Sequence, residues 1–325
     1  MKKILTWIKP TGNWMHIGNY FWAIKPLFDM ALDKNNDVYV FLPDLHSLTS
    51  VHDAETLKKN KQRMLKEFFA LMPENTNITV YEQSKIKDIN NITWILNSVT
   101  PLSMMLRAHS YKDAKNKWID INMAVFNYPI LMASDIIAYD FDIVPVGKDQ
   151  KQHLEFARDI AGNFNKTYKT DIFKLPEAKI DEKVMTIPWI DGRKMSKSYD
   201  NHISIFDSPK DLKKKIMKIV TGSETLEEPK DPEKCNVFAL IKLFATQEKQ
   251  DEIAKKYREW WYWYGHAKLE LLDLILKYFE KAREKYEEYS KNYDLIEKKL
   301  EKWNAKMNKI ATEKYEELKK ITGLE

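Results

Sequence analysis

From residue 2 to about residue 205 the chain alternates two kinds of pattern. Short runs rich in β-branched and aromatic residues, at 3–7, 37–42 ("DVYVFL"), 78–82 ("ITVYE") and 142–146 ("DIVPV"), read as strands. Between them lie stretches of helical period, among them 20–32 and 53–72. Strands separated by helices predict βαβ units and therefore a parallel sheet. Beyond about residue 206 the strand patterns stop, and amphipathic helices follow at 209–220, 237–244, 267–289 and 293–321. In the 267–289 stretch, Leu269, Leu272, Leu276 and Phe279 recur at helical spacing and mark the expected buried stripe, with the Lys/Glu-rich remainder solvated. The expected architecture is α/β: a Rossmann-like parallel-sheet nucleotide-binding domain over 1–205, then an all-helical domain over 206–325 whose last helix packs back on the first. No internal repeat or low-complexity linker interrupts it.

Composition narrows the class. A chain of 325 residues holds a catalytic domain of about 150–200 residues and a smaller one. One cysteine, Cys235, excludes a disulfide framework or a thiolate zinc site built from this chain and suits a reducing, cytoplasmic setting. The basic start "MKKILTWIKP" leads into an apolar run too short for a signal peptide, and no run approaches a membrane span. A net charge of +5 with 31% charged residues means that a polyanion must be met by a local patch. Eight glycines and ten tryptophans are the odd counts, because usual composition gives roughly 23 glycines in such a chain.

Three constellations carry chemistry. "WIKPTGNWMHIGNYFW", at 7–22, places Gly12, His16, Gly18 and Asn19 between a strand and a helix, where free backbone N–H groups form a nucleotide cradle. An ordinary turn that happens to hold a histidine is the plain alternative. "DGRKMSKSYDN", at 191–201, sets Lys194 and Lys197 three apart in a loop able to neutralise charge as pyrophosphate leaves; a solvated surface loop is the alternative there. In "NYPILMASDIIAYDFDIVPVGKDQ", Tyr128, Met132 and Asp135 stand at i, i+4 and i+7 on one helix face. An apolar slot with a carboxylate floor suits indole, which has one N–H donor and no acceptor, and the thioether suits its ring. Asp135 as a plain structural residue stays open on spacing alone. Asp149 is the expected N-cap of the helix after strand 142–146.

His16-Ile17-Gly18-Asn19 together with Lys194-Met195-Ser196-Lys197-Ser198 resembles the paired signatures of class I aminoacyl-tRNA synthetases, and Tyr128-Pro129-x-Leu131-Met132-Ala133-x-Asp135-Ile136 resembles the amino-acid recognition segment of the tryptophanyl family, along the whole chain. The resemblance implies ATP-dependent activation of L-tryptophan and its transfer to tRNA(Trp), by a homodimer, with Mg²⁺ arriving on ATP. It implies that His16, Lys194 and Lys197 act on the phosphates. It assigns ATP binding to Lys9, Pro10, Thr11, Gly18, Asn19 and Gly147, and further to Lys148, Asp149, Val184, Met195, Ser196 and Ser198. It assigns tryptophan binding to Leu5, His46, Tyr128, Met132, Asp135 and Gln150, with His46 closing the strand of "FLPDLHSLTS". The Lys213-Lys214-Lys215 run and the basic side of the C-terminal helices are candidates for tRNA phosphate contact. A tyrosine-specific synthetase and a catalytically silent tRNA-binding paralogue are the alternatives.

The chain departs from the family pattern in three small ways: three residues between Gly12 and His16 instead of two, Lys9 for glutamine and Leu5 for phenylalanine. The tryptophans depart together. Family resemblance expects glycine at Trp7, Trp22, Trp189, Trp260, Trp261 and Trp263, and Trp14, Trp118 and Trp303 fit the same set, whereas Trp94 reads as genuine. Translation of UGA glycine codons as tryptophan accounts for both odd counts; real aromatic packing is the alternative, and a poor one for "WWYW" in a turn where glycine supplies positive φ.

Overall fold

The structure is a computed structural model that describes residues 1–10, 15–116, 121–147, 150–175, 177–180, 202–259 and 262–325. Five parallel strands form one sheet in the order β3-β2-β1-β4-β5: β1 Lys2–Trp7, β2 Asn36–Leu42, β3 Ile78–Glu82, β4 Ile143–Val146 and β5 Glu177–Ile180. The first four match the alternating pattern to within a residue. β5, "EAKI", carries two charges in four residues and shows no strand pattern of its own.

Both faces of the sheet are covered, which is why its strands read as nearly continuous apolar runs. Ile4, Val38, Val40 and Leu42 point to one side, into a core that also holds Phe28, Leu65 and Phe68 and extends to Val237, Tyr257 and Leu271 of the helical half. Leu5, Tyr39 and Phe41 point to the other side, against Ile89, Ile136 and Phe164. Two of the covering helices begin at side-chain caps: Asp53 accepts the Thr56 N–H at the start of Ala54–Leu71, and Asn122 accepts the Val125 N–H at the start of Met123–Ile137. No helix among the described residues is long and apolar enough to cross a membrane.

Three local expectations are corrected. His46 does not close a strand; Pro43 ends the run after β2, and His46 sits in the one-turn helix Asp44–Ser47. The 267–289 stretch is two helices, Tyr264–Tyr278 and Glu280–Lys291, broken where Phe279 packs edge-on against Tyr20 and Phe244. Of the expected stripe, Leu272 and Phe279 are buried and Leu276 packs partly buried against the core, but Leu269 is 40% exposed, and the buried face runs also through Ala267, Leu271 and Ile275.

The last helix, Asp294–Thr322, lies along β3. Asn304 accepts the Glu82 N–H at 3.0 Å and donates to the Glu82 carboxylate at 3.0 Å, and Asn308 accepts the Lys87 N–H and donates to the Lys85 carbonyl. Ile296 and Leu300 enter one core and Met307, Ala311 and Leu318 the other, so this helix wraps the β3 edge and protects its unpaired backbone.

Candidate active site

Strand order reverses between β1 and β4, and an open parallel sheet binds ligands at the carboxyl ends of the strands at such a point. The register between β1 and β4 is a single pair, Ile4 with Ile143, and Pro145, with no N–H to donate, stands two residues further along β4. At their carboxyl ends β1 feeds Lys9 and Pro10 and β4 feeds Gly147.

After β1 the described chain resumes at Met15. His16 is the N-cap of the Ile17–Asn19 turn, and its Nδ1 accepts the Asn19 N–H at 3.1 Å. A neutral ring bonded this way carries its proton on Nε2. Gly18 is buried, and the Asn19 Oδ1 is buried without a hydrogen bond. The turn is stitched to the stretch that follows the two signature lysines: Ile17 N–H donates to Ile203 O at 3.0 Å, and Ile205 N–H donates to Met15 O at 3.2 Å. Thr11, Lys148, Asp149, Val184, Lys194, Met195, Ser196, Lys197 and Ser198 lie outside the described residues. The cap position of helix Lys151–Tyr168 falls on Gln150, whose N–H donates to Gly147 O at 3.0 Å.

A cavity of about 210 Å³ opens at the carboxyl end of β1, lined by Trp7, Lys9, Phe41, Pro43, His46, Thr49, Tyr128, Met132, Gln150 and His153. The helix Met123–Ile137 brings Tyr128 and Met132 to it on one face. Tyr128 Oη meets His153 Nε2 at 3.1 Å, and His153 Nδ1 meets Gln150 Oε1 at 2.8 Å, so one polar relay borders the slot. Burial lowers the Lys9 ammonium from its ordinary value.

Asp135 is 1% exposed and lies behind the lining. Its Oδ2 accepts Gln83 Nε2 at 2.6 Å and meets His46 Nε2 at 3.2 Å, while Gln83 Oε1 accepts the Leu45 N–H at 3.1 Å. Oδ1 takes no hydrogen bond among the described residues. Burial pushes the Asp135 carboxyl upward, and the His46 and Gln83 hydrogen bonds pull it back. With Nε2 on the carboxylate, the His46 Nδ1 stays buried without a partner.

The structure thus gathers Lys9, His46, Tyr128, Met132 and Gln150 around one cavity, with Asp135 one hydrogen bond behind it. Leu5 does not line it; fully buried, it supports the cavity from the apolar layer shared with Phe41 and Met132. Sequence reasoning missed His153, although it follows Gln150 by three residues on one helix face. It also missed Gln83, just past the carboxyl end of β3, and nothing in the sequence links that residue to Asp135. Trp7 is half-buried with its ring 6.1 Å from that of Phe41, and it narrows the same cavity.

The other described tryptophans differ among themselves. Trp22 and Trp263 are 47% and 55% exposed, and Trp303 packs against Phe69 with ring centroids 5.8 Å apart. Trp263 has φ −85°, so positive φ is not what its position requires, contrary to the turn argument. Its ring instead occupies the space beside Gly265, 2.5 Å from where a Cβ on that glycine would stand.

Comparison with known proteins follows the same lines. The sequence profile of the family described as tRNA synthetases class I (W and Y) matches residues 2–280. The chain is 45% identical to the tryptophan--tRNA ligase of Fusobacterium nucleatum, over 100% of this chain and 98% of that one, and 42% identical to the tryptophan--tRNA ligase of Campylobacter jejuni, over 99% and 100%. It superposes on the crystal structure of tryptophanyl-tRNA synthetase from Campylobacter jejuni complexed with ADP and tryptophan with a TM-score of 0.93, at 41% identity and 99% coverage of both chains.

Proposed function

The chain belongs to the class I tRNA synthetases for tryptophan and tyrosine, and we propose that within this family it is a tryptophan–tRNA ligase. The carboxylate of tryptophan attacks the α-phosphorus of ATP in line, and pyrophosphate leaves. A ribose hydroxyl of the terminal adenosine of tRNA(Trp) then attacks the carbonyl carbon of the resulting tryptophanyl-adenylate, forming the ester as the acyl–phosphate bond breaks and AMP leaves. Positioning and charge stabilisation supply the rate.

One observation carries the reading: the slot beside Met132 and Tyr128 has a buried carboxylate behind it whose Oδ2 is already bonded and whose Oδ1 takes no partner among the described residues. Indole brings one donor to that one acceptor, and Met132 packs the ring. Gln83 and His46 hold the carboxylate in place, the Tyr128, His153 and Gln150 relay faces the amino and carboxylate groups of the substrate, and Lys9, His16 and Asn19 meet ATP. Asn19 has the buried, unbonded Oδ1 that adenine or ribose would satisfy. Lys194 and Lys197 close on the phosphates, and Mg²⁺ travels with ATP as part of that substrate. The tyrosine-specific alternative is not favoured, because the curated relatives named above act on tryptophan.

For tRNA, Lys213 and Lys214 are exposed at the start of the helical half, whereas Lys215 is paired with Asp207 at 2.8 Å and has less to offer a phosphate. A homodimer is supported by Trp94, Leu102 and Met123, which are 77%, 64% and 67% exposed on neighbouring helices.

Amino-acid-dependent ATP-pyrophosphate exchange tests the assignment. Tryptophan supports exchange and tyrosine does not; Asp135→Asn raises the tryptophan KM by roughly 10- to 100-fold with the ATP KM nearly unchanged, the effect expected for one hydrogen bond to a charged group. Equal exchange with tyrosine, or none with either, overturns it.

A further inference from the structure

Glu67, on the helix Ala54–Leu71, is 1% exposed, and a carboxylate so far from water needs specific partners. It has them. Oε2 accepts the Met15 N–H at 2.8 Å, and Oε1 accepts Arg63 Nε at 3.0 Å. The Met15 carbonyl accepts the Ile205 N–H, and the Ile205 carbonyl accepts Arg283 from the helix Glu280–Lys291. The same guanidinium donates to the Asp207 carbonyl at 2.7 Å. One continuous run of hydrogen bonds therefore leads from Arg63 through Glu67, Met15 and Ile205 to Arg283. It crosses the residue before His16 and the stretch that follows the signature lysines, and it is gripped at both ends by helices packed on each other.

We propose that Glu67 and Arg283 are positioning residues for the ATP phosphates: by holding the backbone of Met15 and Ile205, they set His16 against the segment that anchors the lysine loop and couple that geometry to the helical half of the chain. The proposal rests on the reading of the chain as an ATP-using synthetase. A purely structural buried ion pair is the rival explanation, and protonation separates the two. Both partners of Glu67 are donors, so an ionised carboxylate satisfies both, whereas a protonated one carries a hydrogen with no acceptor and weakens its grip on Met15.

Burial and the nearby Asp207 push the Glu67 carboxyl up to about 7, against the pull of the Met15 N–H, Arg63 and Lys66. Arg63 and Lys66 face it from its own helix, Asp207 from the segment after the lysine loop, and Tyr286 from the helix Glu280–Lys291, where its ring stacks on Phe206 at 4.5 Å. The sign of the linkage is useful. A folded-state value above the ordinary 4.5 means that this group makes the fold more stable as pH falls from about 7 toward 4.5. A structural pair then predicts no loss on acidification across that range, but a positioning carboxylate predicts a loss of activity while stability rises.

The experiment is tryptophan-dependent ATP-pyrophosphate exchange from pH 5.5 to 8.5 on the full chain, with thermal melts at each pH. Wild type is expected to show an acid limb near neutrality, and Glu67→Gln is expected to stay folded, to lower kcat about 10- to 100-fold with the tryptophan KM unchanged, and to lose that limb. Arg283→Gln is expected to lower kcat in the same direction. Wild-type kcat and an unaltered acid limb in Glu67→Gln, or a loss confined to the tryptophan KM, overturns the proposal. Should Glu67→Gln fail to fold, Arg283→Gln decides: an unchanged kcat overturns it. Wild type without tryptophan-dependent exchange refutes the functional reading instead, so the two failures are distinct.

Discussion

Trp7 stands where β1 runs out into the cavity, and its indole occupies space beside Lys9 and His46 that a substrate would enter. A slot of about 210 Å³ is below the usual range of about 300–1,000 Å³ for small-molecule sites, so this one side chain bears directly on capacity. Trp7→Gly is expected to raise kcat/KM for exchange roughly tenfold while lowering the melting temperature, because the indole gives up its packing on Phe41. Exchange kinetics and thermal melts measure both. UGA codons at the suspect positions predict glycine in the protein made by its own organism, read by peptide mass spectrometry; UGG codons there end the idea. Trp303, packed on Phe69, is the position where genuine tryptophan has the best structural support. Asp135 shows how a single residue depends on others: its position on the Tyr128 and Met132 face is plain from spacing, but its availability to a ligand depends on Gln83, 52 residues earlier in the chain.

Among the elements, the helix Asp294–Thr322 closes the sheet at β3 through side chains that pair with backbone. Asn304→Ala removes the acceptor of the Glu82 N–H and a donor to its carboxylate, leaving buried polar groups unpaired. The expected cost is about 1–3 kcal/mol, read as a lower urea midpoint with the slope unchanged. Helical period alone located this helix to within a residue or two, since Lys and Glu so clearly mark its solvated face. Period alone gives one helix over 267–289 where there are two, because the break falls where Phe279 meets Tyr20 and Phe244, remote in sequence. β5 was invisible for a related reason: four residues flanked by charge become a strand only because β4 offers them an edge.

For the whole molecule, the exposed apolar set Trp94, Leu102 and Met123 argues for a partner surface on the helices next to the sheet. For the proposed homodimer, wild type is expected to run as a dimer and Trp94→Glu as a monomer in size-exclusion chromatography with light scattering, with little change in the melt of the monomer, since a residue 77% exposed supports little of the core. Persistence of the dimer excludes this face as its interface. The helical half shares one core with the first face of the sheet through Val237, Tyr257 and Leu271, and Arg283 carries that contact to the His16 turn. The proposed positioning role of Glu67 and Arg283 runs along this contact, and the exchange assays on Glu67→Gln and Arg283→Gln test it.

By itself the sequence determined the alternation of strand and helix, the two signature stretches and the Tyr128, Met132 and Asp135 face. Each of these is a local property, set by the period of a helix or strand and by the few residue types a turn or a phosphate site accepts. Only the tertiary structure decided what came from residues far apart in the chain: the fifth strand, the Gln83 and His46 bonds that hold Asp135, the place of Trp7 in the slot, and the run from Arg63 to Arg283. Hydrogen-bond partners and packing neighbours are chosen by how elements meet in space, and no periodicity along one chain encodes which carboxylate will find which backbone N–H.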